Sequence, residues 1–168
     1  PPGDATPRRG VWEAIVVGHL RDVKDPFLAA RASRLLPDDS AISITHVGDA
    51  LTKRDAGRAT RETSQNQRYR WVGEKPRWQT TRMIARSRVL VLSSRMEGGA
   101  NVVSEAMACG IPVLSTLISG SIGLLGPDYP GYFPIGDARA LANQLLKCEQ
   151  DPTFHDTLTR AVRSRSKI

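Results

Sequence analysis

Residues 89–114 decide the fold, and they read VLVLSSRMEGGANVVSEAMACGIPVL. Val89–Leu92 is a continuous aliphatic run, typical of a strand that is buried on both faces of a parallel sheet. A short helix is predicted from Asn101 to Cys109, where Gly110 ends it, and residues 111–114 form the next strand. Strand, loop, helix and strand in this order predict a βαβ unit.

The same alternation extends on both sides of this unit. Further strands are predicted at 14–18, 42–47 and 69–72. Helices are predicted at 27–36, 50–66, 78–86, 137–149 and from Asp151-Pro152 onward. The first of them is expected to have Asp25 as its N-cap and Pro26 as its first helical residue. Residues 119–136 form a stretch rich in glycine and proline. We expect a Rossmann-like, doubly wound α/β layer of about six parallel strands with helices on both faces. Ligands bind such sheets at the carboxyl ends of the strands.

Length and composition bound the organisation of the chain. Its 168 residues, 40% of them apolar, suffice for one buried core. The start PPGDATPRRG has no Met, so we expect a fragment with a linker at 1–12 and one domain at 13–168. No apolar run approaches the ~20 residues that span a bilayer. Cys109 and Cys148 lack metal-ligand spacing, which favours buried or half-buried thiols in a reducing, cytoplasmic compartment.

Basic residues concentrate in one part of the sequence. The chain carries a net charge of +7, and Lys53–Arg95 holds twelve Lys or Arg against three acidic residues. A phosphate-bearing ligand accounts for only a few of these charges. A solvated basic face, or a face that meets a partner domain, is the simpler interpretation. A basic Rossmann-like domain that binds nucleic acid stays open as an alternative.

Two glutamates flank a glycine-rich turn after Leu92. Glu97 lies in the loop, and Glu105 falls in the first turn of the following helix. The backbone between them can approach a ligand closely and offers free helix amides to a diphosphate; these residues are Gly98, Gly99, Ala100, Asn101 (a candidate cap) and Val102. Carboxylates accept hydrogen bonds from vicinal hydroxyls. The arrangement therefore predicts a nucleotide-sugar site, with one glutamate on the ribose and the other on the sugar.

The Glu-x7-Glu spacing followed by EAMACGIPV resembles the C-terminal, donor-binding domain of family-four GT-B glycosyltransferases, over Val16 to Phe154. The resemblance implies that Glu97 orients the sugar and that Glu105 holds the ribose. It also implies an acceptor-binding N-terminal GT-B domain, which this chain lacks, and a small-molecule acceptor. It further implies that cationic side chains take the place of a metal ion, so no metal or other cofactor is expected.

The loop after the first strand also matches that family, which has G-R-L-x-x-x-K. Here it reads Gly18-His19-Leu20-Arg21-Asp22-Val23-Lys24. Lys24 matches and is expected to contact the diphosphate, while His19 replaces the usual arginine and lacks its bidentate fork. Arg21 is the candidate that compensates.

The loop after the third strand, Gly73-Glu74-Lys75, corresponds to the family's base-contacting segment, whose backbone reads the nucleobase. Trp71 and Trp78 flank it. We predict that both pack in the core or between helices rather than stack on a base.

A narrower resemblance rests on three segments. HLRDVKDP, SSRMEGGANVVSEA and GLLGPDYPGYFP are similar to selenosugar synthases of selenoneine biosynthesis, whereas most family-four members have E-G-F-G-L where this chain has E-G-G-A-N. The resemblance implies a UDP-N-acetylhexosamine donor and selenophosphate as acceptor. A GDP- or ADP-sugar donor remains an alternative, and a donor-binding half alone is expected to be inactive.

Overall fold

The computed structural model describes residues 2–97 and 101–167. Six parallel strands form one sheet in the order β3-β2-β1-β4-β5-β6. Their bounds are β1 Trp12–Val17, β2 Ile42–Val47, β3 Tyr69–Trp71, β4 Val89–Leu92, β5 Val113–Thr116 and β6 Tyr132–Phe133. The predicted Rossmann-like, doubly wound α/β class is confirmed. The strand order reverses between β1 and β4, which lie side by side in the middle of the sheet.

Helices cover both faces of this sheet. They are α1 Leu28–Ser33, α2 Lys53–Gln65, α3 Arg77–Arg86, α4 Asn101–Ala108, α5 Ser119–Leu125, α6 Ala138–Gln150 and α7 Pro152–Arg165. Contacts join α1 with α6 on one face and α3, α4, α5 and α7 with one another on the other face. α2 lies with α1, since its Glu62 pairs with Arg34 at the end of α1 at 3.0 Å. No helix in the described part of the chain combines the length and apolar character needed to cross a membrane.

The core is mainly aliphatic, as a chain with few aromatic residues requires. Every residue of β2 and β4 is buried, and Leu90 and Leu114 are fully enclosed between the two helical layers. Two predicted helix starts are confirmed. Asp137 accepts a hydrogen bond from the Ala140 amide at 2.9 Å, and Asp151 accepts one from the Thr153 amide at 3.0 Å. Each aspartate satisfies an amide that the first helical turn leaves without a partner.

The predicted role of Asp25 as a helix N-cap, with Pro26 at the first helical position, is wrong. Asp25 has a left-handed backbone (φ 42°) after a 3₁₀ turn at Asp22–Lys24, and α1 begins only at Leu28. Its carboxylate is buried and pairs with Arg31 at 3.2 Å and with Arg95 at 3.5 Å. A buried carboxylate needs such partners, so a contact with a distant loop overrides the local capping signal.

The stretch 119–136 contains two elements that its glycine and proline content conceals. α5 and the two-residue strand β6 both lie there, and β5 begins two residues later than predicted. The Ser121 hydroxyl is buried and lies 2.7 Å from the Ser115 hydroxyl of β5. Tertiary contacts of this kind stabilise α5 despite its low helix propensity.

The two tryptophans differ in their surroundings. Trp71 is buried, as predicted, and its indole N–H donates to the Gly48 carbonyl at 2.8 Å. Trp78 is 64% exposed, so the prediction that it packs in the core or between helices is wrong. The buried positions of α3 are Thr80 and Ile84. At about 100° per residue, Trp78 falls on the opposite side of the helix.

Candidate functional site

The candidate site lies at the carboxyl ends of β1 and β4, where the strand order reverses. A small cleft there is lined by Gly18, His19 and Lys24 from the β1 loop and by Ser93 and Ser94 from the β4 loop. Open parallel sheets bind ligands at such a switch point. The cleft therefore coincides with two of the loops that the sequence singled out.

Lys24, which lines this cleft, meets Glu97 beside it. The Lys24 ammonium forms an ion pair with Glu97 Oε1, and the Ser94 hydroxyl donates to the same oxygen at 2.9 Å. Their side chains are 30% and 12% exposed, so the pair is partly shielded from water. A cation and a hydrogen-bond acceptor thus lie side by side, one suited to a phosphate and the other to a hydroxyl.

The β1 and β4 loops are tied together by contacts that sequence reasoning missed. The Ser93 hydroxyl lies 2.9 Å from the Lys24 carbonyl and 3.0 Å from the Asp25 carbonyl. The Arg95 amide donates to the Val23 carbonyl at 2.8 Å, and its guanidinium reaches Asp25. These bonds hold the backbone of Lys24 beside the loop that carries Glu97. The sequence signal that could have pointed to these contacts is a serine directly after the aliphatic run of β4.

His19 is held in a defined orientation. Its Nδ1 accepts a hydrogen bond from the Asp49 amide at 3.0 Å, so this nitrogen carries no proton and Nε2 carries one. The imidazole offers the cleft one N–H donor instead of an arginine fork. Arg21 is exposed, and its backbone amide donates to the His19 carbonyl at 2.9 Å. Both residues lie at the loop where the sequence placed them.

His46, which the sequence analysis treated only as a strand residue, supports the β1 loop from below. It is buried; its Nε2 donates to the Gly18 carbonyl at 2.9 Å and its Nδ1 accepts from the Tyr69 hydroxyl at 2.9 Å. Burial lowers the pKa of His46 to about 4, while burial raises the pKa of Tyr69. The neutral imidazole therefore fixes the carbonyl of Gly18.

Glycines bring the loops after β1, β2 and β3 close together. The Gly48 amide donates to the Gly73 carbonyl at 2.9 Å, and a Cβ on Gly48 would overlap the carbonyl of Gly18. Gly73 has a left-handed backbone (φ 72°), which favours glycine. Glu74 follows it and is exposed. The predicted base-contacting segment thus adjoins the predicted phosphate loop.

The helix that follows the glycine-rich turn carries the second glutamate. Glu105 lies in the second turn of α4 as described, not in the first; its side chain is 27% exposed and lies 3.9 Å from Arg77 Nε. Asn101 is exposed and is already helical, and Val102 is half-buried. The predicted phosphate-binding residues Gly98, Gly99 and Ala100 lie outside the described residues. Within residues 2–97 and 101–167, no three His, Cys, Asp or Glu side chains cluster as metal ligands.

A family model places this site in a known context. The model described as Glycosyl transferases group 1 matches residues 6–165. The chain belongs to this family. Both loops of the cleft and the whole sheet fall inside the matched range.

Curated relatives of this glycosyltransferase-family chain include bacterial enzymes. It is 40% identical over 104 residues to the putative colanic acid biosynthesis glycosyltransferase WcaL of Escherichia coli K12, covering 57% of this chain and 25% of WcaL. Over 82 residues it is 29% identical to N-acetyl-alpha-D-glucosaminyl L-malate synthase of Bacillus anthracis, covering 48% of this chain and 22% of that enzyme. The chain spans about a quarter of the length of these relatives.

Solved structures show the same fold. Anabaena HepE in complex with UDP superimposes with a TM-score of 0.82 at 20% identity, over 94% of this chain and 44% of HepE. Sucrose-phosphate synthase from Thermosynechococcus elongatus gives a TM-score of 0.75 at 25% identity, over 92% of this chain and 41% of that protein.

Proposed function

We propose that this domain binds a UDP-sugar and that the whole protein transfers the sugar to an acceptor. The observation that carries the proposal is the meeting of Lys24 and Glu97 at the switch point between β1 and β4. Family membership and the fold shared with HepE, whose structure holds UDP, support a uridine nucleotide.

In this mechanism Lys24 exchanges its partner when the donor binds. Its ammonium moves from Glu97 to the oxygens of the diphosphate, and Glu97 then accepts hydrogen bonds from the sugar hydroxyls. During transfer the bond between the anomeric carbon and the phosphate oxygen breaks, and its electron pair leaves on UDP. The acceptor nucleophile bonds to the anomeric carbon. Lys24 and Arg21 stabilise the charge that grows on the leaving diphosphate, so the reaction needs no metal ion.

Glu105 has the second task, which is to hold the ribose. Its distance of 3.9 Å from Arg77 Nε exceeds an ordinary hydrogen bond, so this contact constrains the carboxylate little. A vicinal diol offers it two donors. Gly73 and Glu74 lie in the loop after β3, and in this proposal the backbone of that loop contacts the base.

The finer proposal is a UDP-N-acetylhexosamine donor and selenophosphate as the acceptor, which makes a carbon–selenium bond. The segments HLRDVKDP, SSRMEGGANVVSEA and GLLGPDYPGYFP support it through their resemblance to selenosugar synthases. The Bacillus anthracis relative, whose name contains an N-acetyl-alpha-D-glucosaminyl group, supports the acetamido sugar. In this proposal the acceptor is held largely by the N-terminal GT-B domain.

Calorimetric titration of this chain with UDP, GDP and ADP at two salt concentrations tests the donor. We expect saturable binding that is tightest for UDP and weakened by about 1–3 kcal/mol in Glu105→Ala, because ribose hydroxyls lose their acceptor. Asp156→Ala, which removes an exposed carboxylate from α7 outside the cleft, is the matched control. Equal affinity of Glu105→Ala and the parent would refute the ribose assignment. Steeply salt-dependent binding of nucleic acid, without nucleotide binding, would favour the alternative class.

The acceptor is tested with the full-length protein. UDP-N-acetylglucosamine is incubated with selenophosphate, and the selenosugar product is measured by mass spectrometry, with inorganic phosphate as the matched acceptor. Hydrolysis or transfer without selenium in the product would refute the selenophosphate assignment while leaving the donor assignment intact.

A further inference from the structure

A second cavity lies on the face of the sheet that carries α3. It has a volume of about 440 Å³ and opens between α3 and the segment Asp4–Arg8, over strands β1 to β3. Its walls include Glu13 near the start of β1 and Ser87 just before β4. Ile15 and Thr45 extend its wall to the middle of β1 and β2, and it shares no lining residue with the cleft at the carboxyl ends of the strands. Its volume is in the range of sites for small ligands, roughly 300–1,000 Å³.

The lining of this groove carries more positive than negative charge. Four arginines reach it, against two carboxylates, and these residues are Arg8, Arg70, Arg82, Arg86, Asp4 and Glu13. Glu13 is already engaged, since it pairs with Arg8 at 3.1 Å and accepts a hydrogen bond from Thr45. Arg82 and Arg86 are exposed and make no ion pair among the described residues. The groove thus has cationic donors to offer an anion.

Two of these arginines are held in place by the fold. Arg70 donates to the carbonyls of Asp4 and Thr6 at 2.6 and 2.8 Å and to the Thr45 hydroxyl at 2.9 Å. Arg8 keeps its Nε buried without an acceptor in the part of the chain that the structure describes. A buried donor without a partner is costly. Arg8 and Arg70 therefore shape the wall of the groove, whereas the exposed Arg82 and Arg86 are accessible to a ligand.

An aromatic ring stands on the same side of α3. Trp78 is 64% exposed and lines the groove, and the Arg82 guanidinium lies 5.9 Å from its ring centroid. Ile15 and Met83 add apolar surface. A flat apolar surface beside several arginines suits a ligand that combines a ring with a phosphate, because the ring stacks while the guanidinium groups bind the oxygens.

We propose that this groove binds a small phosphate monoester that carries a ring, at a site separate from the donor cleft. The ring lies against Trp78, and the phosphate contacts Arg82 and Arg86. Such a ligand bridges α3 and the segment Asp4–Arg8, so it holds that segment against the sheet. The proposal does not depend on the donor or acceptor assigned to the cleft.

Calorimetric titration of this chain with phenyl phosphate tests the proposal, with phenol and inorganic phosphate as its two halves. We expect phenyl phosphate to bind saturably and more tightly than either half. Arg82→Ala should weaken binding by about tenfold or more, since it removes a charged hydrogen bond. Trp78→Ala should weaken it by about threefold to tenfold. Both side chains are exposed, so circular dichroism should show an unchanged fold.

Two control variants separate this site from general charge effects and from the cleft. Arg54→Ala removes an exposed arginine of α2 outside the groove, and Lys24→Ala removes the cation of the cleft. Both should bind phenyl phosphate as the parent does. Absence of saturable binding, equal losses in Arg54→Ala and Arg82→Ala, or a loss in Lys24→Ala without one in Arg82→Ala would each overturn the proposal.

Discussion

Acidification should destabilise this domain through His46. The imidazole is buried, donates from Nε2 to the Gly18 carbonyl and accepts from the Tyr69 hydroxyl at Nδ1. Protonation would turn Nδ1 into a donor facing a hydroxyl that now donates to it, and it would place a charge in the core. Burial accordingly lowers the pKa of His46 from 6.5 to about 4.

The size of this loss of stability follows from the difference between the pKa values of His46 in the unfolded and the folded chain. In the unfolded chain the imidazole takes up its proton near pH 6.5, whereas in the folded protein it resists protonation down to about pH 4. The free energy of unfolding therefore keeps the whole contribution of the neutral His46 above pH 6.5, and it loses this contribution as the pH falls from 6.5 to about 4. At 1.36 kcal/mol for each pKa unit, the loss amounts to about 3 kcal/mol. This is a large share of the roughly 5–15 kcal/mol that stabilises a domain.

Urea unfolding followed by circular dichroism at pH values from 7.5 to 4 measures this slope. His46→Gln should be less stable at pH 7.5 but should lose the part of the pH dependence that belongs to His46. Ser33→Ala, which changes a buried residue of α1 that does not titrate, is the control and should keep the parent's slope. If the parent and His46→Gln lose stability in parallel as the pH falls, the reasoning about a buried neutral histidine is wrong.

Three further predictions concern the loops around the cleft. Lys24→Ala should weaken UDP binding by about tenfold or more in calorimetry while uridine binds unchanged, since only UDP carries the diphosphate; equal losses would refute that contact. Ser93→Ala removes the hydroxyl that joins the β1 and β4 loops, so the free energy of unfolding should fall by about 1 kcal/mol and UDP should bind more weakly; unchanged UDP affinity would contradict the positioning role. Gly48→Ala introduces a Cβ that overlaps the Gly18 carbonyl, so the free energy of unfolding in urea should fall by about 1–3 kcal/mol. Gly123→Ala is the control, and because a Cβ there meets open space, its free energy of unfolding should fall much less.

Elements with strong local signals were predictable from the sequence. β2 alternates β-branched with polar residues, which is a strand pattern, and β4 is a continuous aliphatic run of the kind that is stable only where both faces are covered. Asp137 and Asp151 cap their helices through amides two or three residues away, so the signal and its partner lie in the same segment.

Elements whose partners are distant in sequence were not predictable. Asp25 carries the same N-cap signal as Asp151, yet its carboxylate pairs with Arg95 and its backbone is left-handed. The two-residue strand β6 exists because β5 offers it a partner edge. Trp78 is large and apolar, but the helix phase set by Ile84 turns it toward solvent.

For the site, the sequence by itself predicted the family, which the family model confirms, and it named Lys24 and Glu97 as candidate residues in the loops after two strands. The residues that directly follow a strand can be read from the sequence, because strand and loop are neighbours along the chain. Only the tertiary structure decided that Lys24 pairs with Glu97, 73 residues away. The same holds for the hydrogen bonds of Ser93 and His46 to the carbonyls of Lys24 and Gly18 in the loop after β1. Such contacts depend on which strands become neighbours, and strand order is settled by how the whole core packs rather than by any one segment.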